Sequence, residues 1–181
     1  MKTALIVVDV QRDFCEGGAL AVGDTLSLIN PLKNFIETLR LQNIPIVFTL
    51  DWHPSDHKSF IENGGIWPSH CVQNSEGAEL MPPLIWQTSD LIICKGGYSA
   101  FDSTRLTNCL HKLGTETVAV CGIATEYCVR ATVLDAIREK FKVTILTDLI
   151  RSVNPEATSA ILNELVQQGG VLCESNLFLP I

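Results

Sequence analysis

The sequence has no basic excess, no long apolar run, no paired-cysteine motif and no internal repeat, and each absence narrows what the chain can be. Among 181 residues, 13 Lys and Arg stand against 20 Asp and Glu, a net charge of −7. That balance leaves no basic face for nucleic acid or an anionic membrane. The opening Met1-Lys2-Thr3-Ala4-Leu5 has no extended apolar core, and Asp9 interrupts the first apolar run. The expectation is therefore neither a signal peptide nor a membrane span. The seven cysteines are an odd number with no CxxC and no regular spacing. They read as reduced thiols of a cytoplasmic protein, not as a disulfide framework. What is present is 46% hydrophobic and 18% charged residues, enough for a sizeable core in one domain spanning residues 1–181. A small-molecule partner stays open.

Short β-branched apolar runs alternate with amphipathic stretches. The runs are Ala4–Val8, Pro45–Leu50, Leu91–Cys94, Thr117–Cys121, Val143–Leu146 and, more weakly, Val171–Cys173. They are continuous rather than alternating, as in parallel strands covered on both faces. Helical stripes lie between them: Leu32, Phe35, Ile36 and Leu39; Leu106, Leu110 and Leu113; Val129, Val133, Ala136 and Ile137; Ala157, Ile161, Leu162 and Leu165. Asn30-Pro31 and Asn154-Pro155 are expected to start helices, and Gly114 and Gly169-Gly170 to end them. The pattern predicts a three-layer α/β fold around a mainly parallel six-stranded sheet. Residues 51–88 break the alternation: they hold Pro54, Pro68, Pro82 and Pro83, all three tryptophans and three of the four histidines. A long irregular insertion in a compact domain is usually functional.

Parallel strands deliver their carboxyl ends to one edge, where ligands bind in such sheets. The first four strands lead to Asp9, to Asp51-Trp52-His53, to Lys95 and, through Gly122-Ile123-Ala124, to Cys128. Cys128 is expected in the first turn of a helix, where the macrodipole favours a thiolate. Cys94, Cys109, Cys121 and Cys173 read as packing residues, whereas the loop thiols Cys15 and Cys71 compete with Cys128. Lys95 would favour thiolate formation and Asp9 would carry the proton. An Asp–Lys ion pair that merely bridges two strand ends explains those two residues equally well. Asp51, His53, His57 and His70 make a second group, with one carboxylate and up to three imidazoles suited to one divalent transition metal such as zinc, iron or manganese. Asp148, after the fifth strand, is expected to cap a helix rather than reach the site.

These blocks are recognisable. Val8-Asp9-Val10-Gln11-Arg12-Asp13-Phe14, Asp51-Trp52-His53-Pro54 with His57, Trp67-Pro68-Ser69-His70-Cys71, Lys95-Gly96, Tyr98 and Gly122-Ile123-Ala124-Thr125-Glu126-Tyr127-Cys128 together resemble the isochorismatase-like cysteine hydrolases, and among them the nicotinamidase/pyrazinamidase family. The resemblance implies the Rossmann-like fold of that superfamily and a catalytic triad of Asp9, Lys95 and Cys128. It implies a cis Ile123–Ala124 peptide and an oxyanion hole built from the N–H groups of Ala124 and Cys128. It implies a metal held by Asp51, His53 and His70 within the 51–88 insertion, with the family not uniform in using His57. Phe14, Trp67 and Tyr98 match positions lining a pocket for a flat heteroaromatic ring, which Leu20, Ile123 and Tyr127 are expected to join. The activity implied is hydrolysis of nicotinamide to nicotinate and ammonia through a cysteine thioester, in NAD salvage, with pyrazinamide as a further substrate. The alternatives are a related hydrolase of another small amide and a non-catalytic metal- or ligand-binding homologue. Homo-oligomerisation is left open. Arg12 stands where the family commonly has Asn, and Glu126-Tyr127 replaces a frequent Asp-His.

Overall fold

In the computed structural model, which describes residues 2–179, six parallel strands lie in the order β3-β2-β1-β4-β5-β6. They are β1 (Lys2–Val8), β2 (Ile46–Asp51), β3 (Leu91–Lys95), β4 (Thr115–Ile123), β5 (Lys142–Arg151) and β6 (Val171–Cys173). The chain builds outward from β1 to β3, then returns to β1's other side with β4 and builds outward again. The order therefore reverses between β1 and β4, and a crevice opens beyond their carboxyl ends.

Both faces of the sheet are covered, which is why its strands read as continuous apolar runs. On one face, α1 (Thr25–Leu41) contributes Leu28, Leu32, Ile36 and Leu39 to a core with Leu5, Val7 and Phe48. On the other, α2 (Leu106–Leu113), α3 (Arg130–Arg138) and α4 (Thr158–Gln167) contribute Leu110, Val133 and Leu165 to a core with Ala4, Ile6 and Val8. The three layers are those expected from the periodicity.

Three local expectations need correction. Helix α1 starts at Thr25, not at Asn30-Pro31, and Pro31 lies inside it. Pro31 and Ser27, whose carbonyl loses its donor to the proline, both face solvent, so water satisfies what the proline removes. Strand β5 runs on to Arg151 through an irregularity: Val120 pairs with Ile145 but Gly122 with Ile150. Asp148 therefore lies within β5, where its carboxylate accepts from the N–H and hydroxyl of Ser175 at 2.8 and 2.5 Å. It caps the short turn Ser175–Leu177 and stays away from the crevice. Cys94, expected to pack, is exposed on the edge strand β3. The expected signals at Asn154, which accepts from the Glu156 N–H at 3.1 Å, and at Gly114, which ends α2 with φ +71°, are as read.

Candidate active site

The ends of β1, β2, β3 and β4 bring the reactive groups together at the crevice. Asp9 follows β1 in a left-handed conformation, φ +48°. Its Oδ1 accepts from the Thr49 hydroxyl at 2.6 Å and its Oδ2 lies 2.7 Å from Lys95 Nζ. Thr49 is the polar residue in the otherwise apolar run of β2, in register with Val8. Lys95 ends β3 directly opposite Asp51. Its ammonium is buried, donates to the Asp51 carboxylate and to the Gly97 carbonyl (2.9 Å), and lies 3.3 Å from Cys128 Sγ.

Cys128 does not sit in the first turn of an α-helix. It lies in a single π-helical turn, Thr125–Val129, that precedes α3. Such turns are rare and cluster at functional sites. The turn follows a cis Ile123–Ala124 peptide, as the resemblance implies, and the Ala124 carbonyl accepts from both Tyr127 and Val129 N–H at 3.1 Å.

The electrostatics differ from the expected thiolate. Burial pushes the Cys128 thiol well above its ordinary 9.0; Lys95 opposes this, but Asp9 and Asp51 reinforce it. Burial likewise raises Asp9 above 3.8, against the pull of Lys95. Burial also disfavours the Lys95 charge, but Asp9, Cys128 and Asp51 outweigh it and hold the ammonium well above 10.5. The resting site is thus a thiol beside a carboxylate–ammonium pair, in which Asp9 is positioned to receive a proton. The competing thiols Cys15 and Cys71 are fully buried and do not reach the crevice, which Cys128 lines. Burial raises Cys15 to about 11 and pushes Cys71 higher still.

Asp51 turns its second oxygen toward the histidines: Oδ2 is 3.3 Å from His53 Nε2 and 3.8 Å from His70 Nε2. Ligand atoms of these three buried residues lie within 4.8 Å of one another. His70 Nδ1 is 2.7 Å from the Pro68 carbonyl, which orients its ring and leaves Nε2 as the free nitrogen. Burial keeps His70 neutral by lowering its pKa from 6.5, the form a metal requires. Two buried imidazoles with Nε2 aimed at one carboxylate oxygen fit a divalent transition ion. His57 lies outside this group; its ring stacks on His53 at 4.2 Å and its Nδ1 is 2.7 Å from Ser59 Oγ.

A cavity of about 290 Å³ joins the thiol to the histidines. Phe14, Leu20, Trp67, Tyr98, Ala124 and Tyr127 line it as expected. Trp67 Nε1 donates to Tyr98 Oη at 3.1 Å, and Tyr127 packs against both rings. Ile123, expected to contact substrate, is fully buried in the core and does not line the cavity. The next residue, Ala124, lines it instead. Asp9 and Lys95 lie behind Cys128, out of the lining.

Sequence reasoning missed the supporting residues. Thr49 holds Asp9. Phe60 sits edge-on to His53, His57 and His70, with ring centroids 5.6, 5.7 and 5.5 Å away. Asp13 accepts from the Cys71 N–H at 2.7 Å, next to His70. The one signal for Thr49 was its hydroxyl in an apolar strand; Phe60 and Asp13 gave none.

The fold is thus a doubly wound parallel sheet that gathers a buried thiol, amine and carboxylate at its switch point. The chain belongs to the isochorismatase family, whose domain matches residues 3–176. It is 35% identical to the nicotinamidase of Escherichia coli (strain K12), over 93% of this chain and 93% of that one. It is 37% identical to the nicotinamidase/pyrazinamidase of Mycobacterium tuberculosis, over 90% of this chain and 93% of that one. The pyrazinamidase of Pyrococcus horikoshii, solved in complex with zinc, superposes with a TM-score of 0.92 at 41% identity, covering 96% of this chain and 99% of that one. The resemblance carried by the motifs is borne out.

Proposed function

We propose that this chain is an amidase that hydrolyses nicotinamide to nicotinate and ammonia. The observation that carries the reading is that Cys128 Sγ, 3.3 Å from a lysine that is itself 2.7 Å from Asp9, opens into the same cavity as Asp51, His53 and His70. In this reading Asp9, Lys95 and Cys128 are the catalytic residues. Asp9 takes the thiol proton as Cys128 sulfur attacks the carboxamide carbon, and the N–H groups of Ala124 and Cys128 receive the oxyanion. Asp9 returns the proton as the C–N bond breaks and ammonia leaves, giving a thioester. Water then attacks, with Asp9 as base, and releases nicotinate and the thiol. Lys95 keeps Asp9 ionised between these steps. Asp51, His53 and His70 would hold the divalent ion, zinc in our reading, which when bound supplies a Lewis-acid docking point for the ring nitrogen. Phe14, Trp67, Tyr98 and Tyr127 enclose the ring.

The likeness to nicotinamidases and to a zinc-bound pyrazinamidase supports this reading. Pyrazinamide, with the same flat ring and carboxamide, is a second substrate in it, and the reducing cytoplasm is where a catalytic thiol survives. The test is ammonia release from nicotinamide by zinc-loaded protein. Turnover that disappears in Cys128→Ala and on chelation supports the proposal; near-native turnover in Cys128→Ala overturns it.

A further inference from the structure

We infer that Gln11 is a positioning residue for Asp51, setting the direction of that carboxylate toward the metal site; the inference rests on the metal-site reading above. Strand β1 stops pairing with β2 at Val8 and Thr49, because the chain turns at Asp9 with φ +48° and Gln11 N–H closes back on the Asp9 carbonyl at 2.8 Å. Strand β2 continues two residues further. At its end the Trp52 N–H points to Lys95 on β3, so the N–H and C=O of Asp51, one residue earlier, point to the opposite side, where β1 has already left.

The Gln11 side chain fills that position. Its Oε1 accepts from the Asp51 N–H at 2.8 Å and its Nε2 donates to the Asp51 carbonyl at 2.8 Å. The amide thus pairs with Asp51 as the backbone of a neighbouring strand would, holding both polar groups of one peptide-flanked residue. A second Nε2 proton reaches the Ala78 carbonyl at 2.8 Å. Gln11 itself cannot drift. It is fully buried, its backbone bridges Leu80, and Arg12 N–H donates to the Glu79 carbonyl at 2.9 Å. Asp51 is the residue whose two oxygens divide between Lys95 and the pair His53 and His70. A tilt of its peptide would move both oxygens at once. Gln11 is not itself part of the cavity lining, whereas Asp51 is, so Gln11 acts through Asp51.

The test titrates zinc and, separately, cobalt(II) into the native chain and into Gln11→Met, Gln11→Asn and Asp51→Ala, with circular dichroism to check folding. Met keeps the length without the amide; Asn keeps the amide one methylene short. The expected result is zinc binding weaker by about 10–100-fold in a natively folded Gln11 variant, with a cobalt(II) visible spectrum displaced from that of the native chain. Native-like zinc affinity and an unchanged cobalt(II) spectrum in a folded Gln11 variant, while Asp51→Ala loses the metal, would overturn the role of Gln11 alone. Failure of both Gln11 variants to fold would also overturn it, because Gln11 would then serve the fold as a whole. Tight zinc binding by Asp51→Ala would overturn the metal-site reading and the inference with it.

Discussion

Lys95 and Asp51 face each other in register across β3 and β2, and their side chains form a buried ion pair that also includes Asp9. One ammonium is therefore shared by two carboxylates and lies against the thiol. The amine side of the site and the histidine side share Asp51, so neither can be altered without affecting the other.

Replacing Lys95 by Met should therefore destabilise the metal-free chain by about 3–5 kcal/mol at neutral pH, since it leaves two buried carboxylates without a counter-charge. The pH dependence identifies the cause. A carboxyl whose folded pKa lies above its unfolded value stabilises the fold below the unfolded value, and that contribution is lost as pH rises through the folded value. Asp9 already lies above 3.8, and losing Lys95 moves it further up. The deficit of Lys95→Met measured by urea unfolding should shrink as pH is lowered from neutrality. A deficit that is constant with pH would mean that packing, not charge, is what Lys95 contributes.

The same charges make a prediction about the thiol. Asp9 is one of the groups holding Cys128 protonated, and Lys95 is the group opposing it. In metal-free protein at neutral pH, Cys128 should react with iodoacetamide more slowly than the exposed Cys94, as peptide mapping by mass spectrometry would resolve. Asp9→Asn should abolish turnover yet speed alkylation of Cys128, about tenfold for each unit by which the thiol pKa falls. Slower alkylation in Asp9→Asn would show Asp9 to be the base that activates the thiol even toward a small electrophile. In the proposed mechanism the carboxylate form of Asp9 is the active one. Activity should accordingly be lost on acidification with a midpoint above the ordinary 3.8 of an aspartate.

What was legible in the sequence was whatever one strand end announces locally. Asp9, Asp51, Lys95 and Cys128 could be placed together because parallel strands share an edge, and the histidines because they crowd one insertion. The misreadings have physical causes. Pro31 carries a helix-start signal, but Thr25, Leu28 and Ile29 extend the buried stripe one and a half turns earlier and the helix follows its buried face. Asp148 finds its partner in Ser175, 27 residues away, and Gln11 finds its partners at Asp51 and Ala78, 40 and 67 residues away. Such pairings have no spacing rule to betray them. The charge state of Cys128 was out of reach for the same reason: helix position favours a thiolate, but burial beside two carboxylates dominates.

His57 offers a clean separation of ligand from neighbour. It stacks on His53 and is tied to Ser59, outside the group formed by Asp51, His53 and His70. His70→Ala should weaken zinc binding at least 100-fold, whereas His57→Ala should leave it within about threefold. Competition with a chromophoric chelator measures both. Equal losses in the two variants would make His57 a fourth ligand.

Gly122 has no room for a side chain. It is the last glycine before the cis Ile123–Ala124 peptide, its φ is +113°, and a Cβ there would meet the Val8 carbonyl oxygen at 2.1 Å. Val8 is its register partner on β1 and is followed at once by Asp9. Gly122→Ala thus imposes a disfavoured backbone conformation and forces apart the two strands whose ends carry Asp9 and Cys128. The expected cost is about 3 kcal/mol or more in urea unfolding. Turnover by the folded fraction should also fall, because widening β1 from β4 draws Asp9 and Cys128 apart. A Gly122→Ala chain with native stability and native turnover would show that the two strands can separate without consequence for the site.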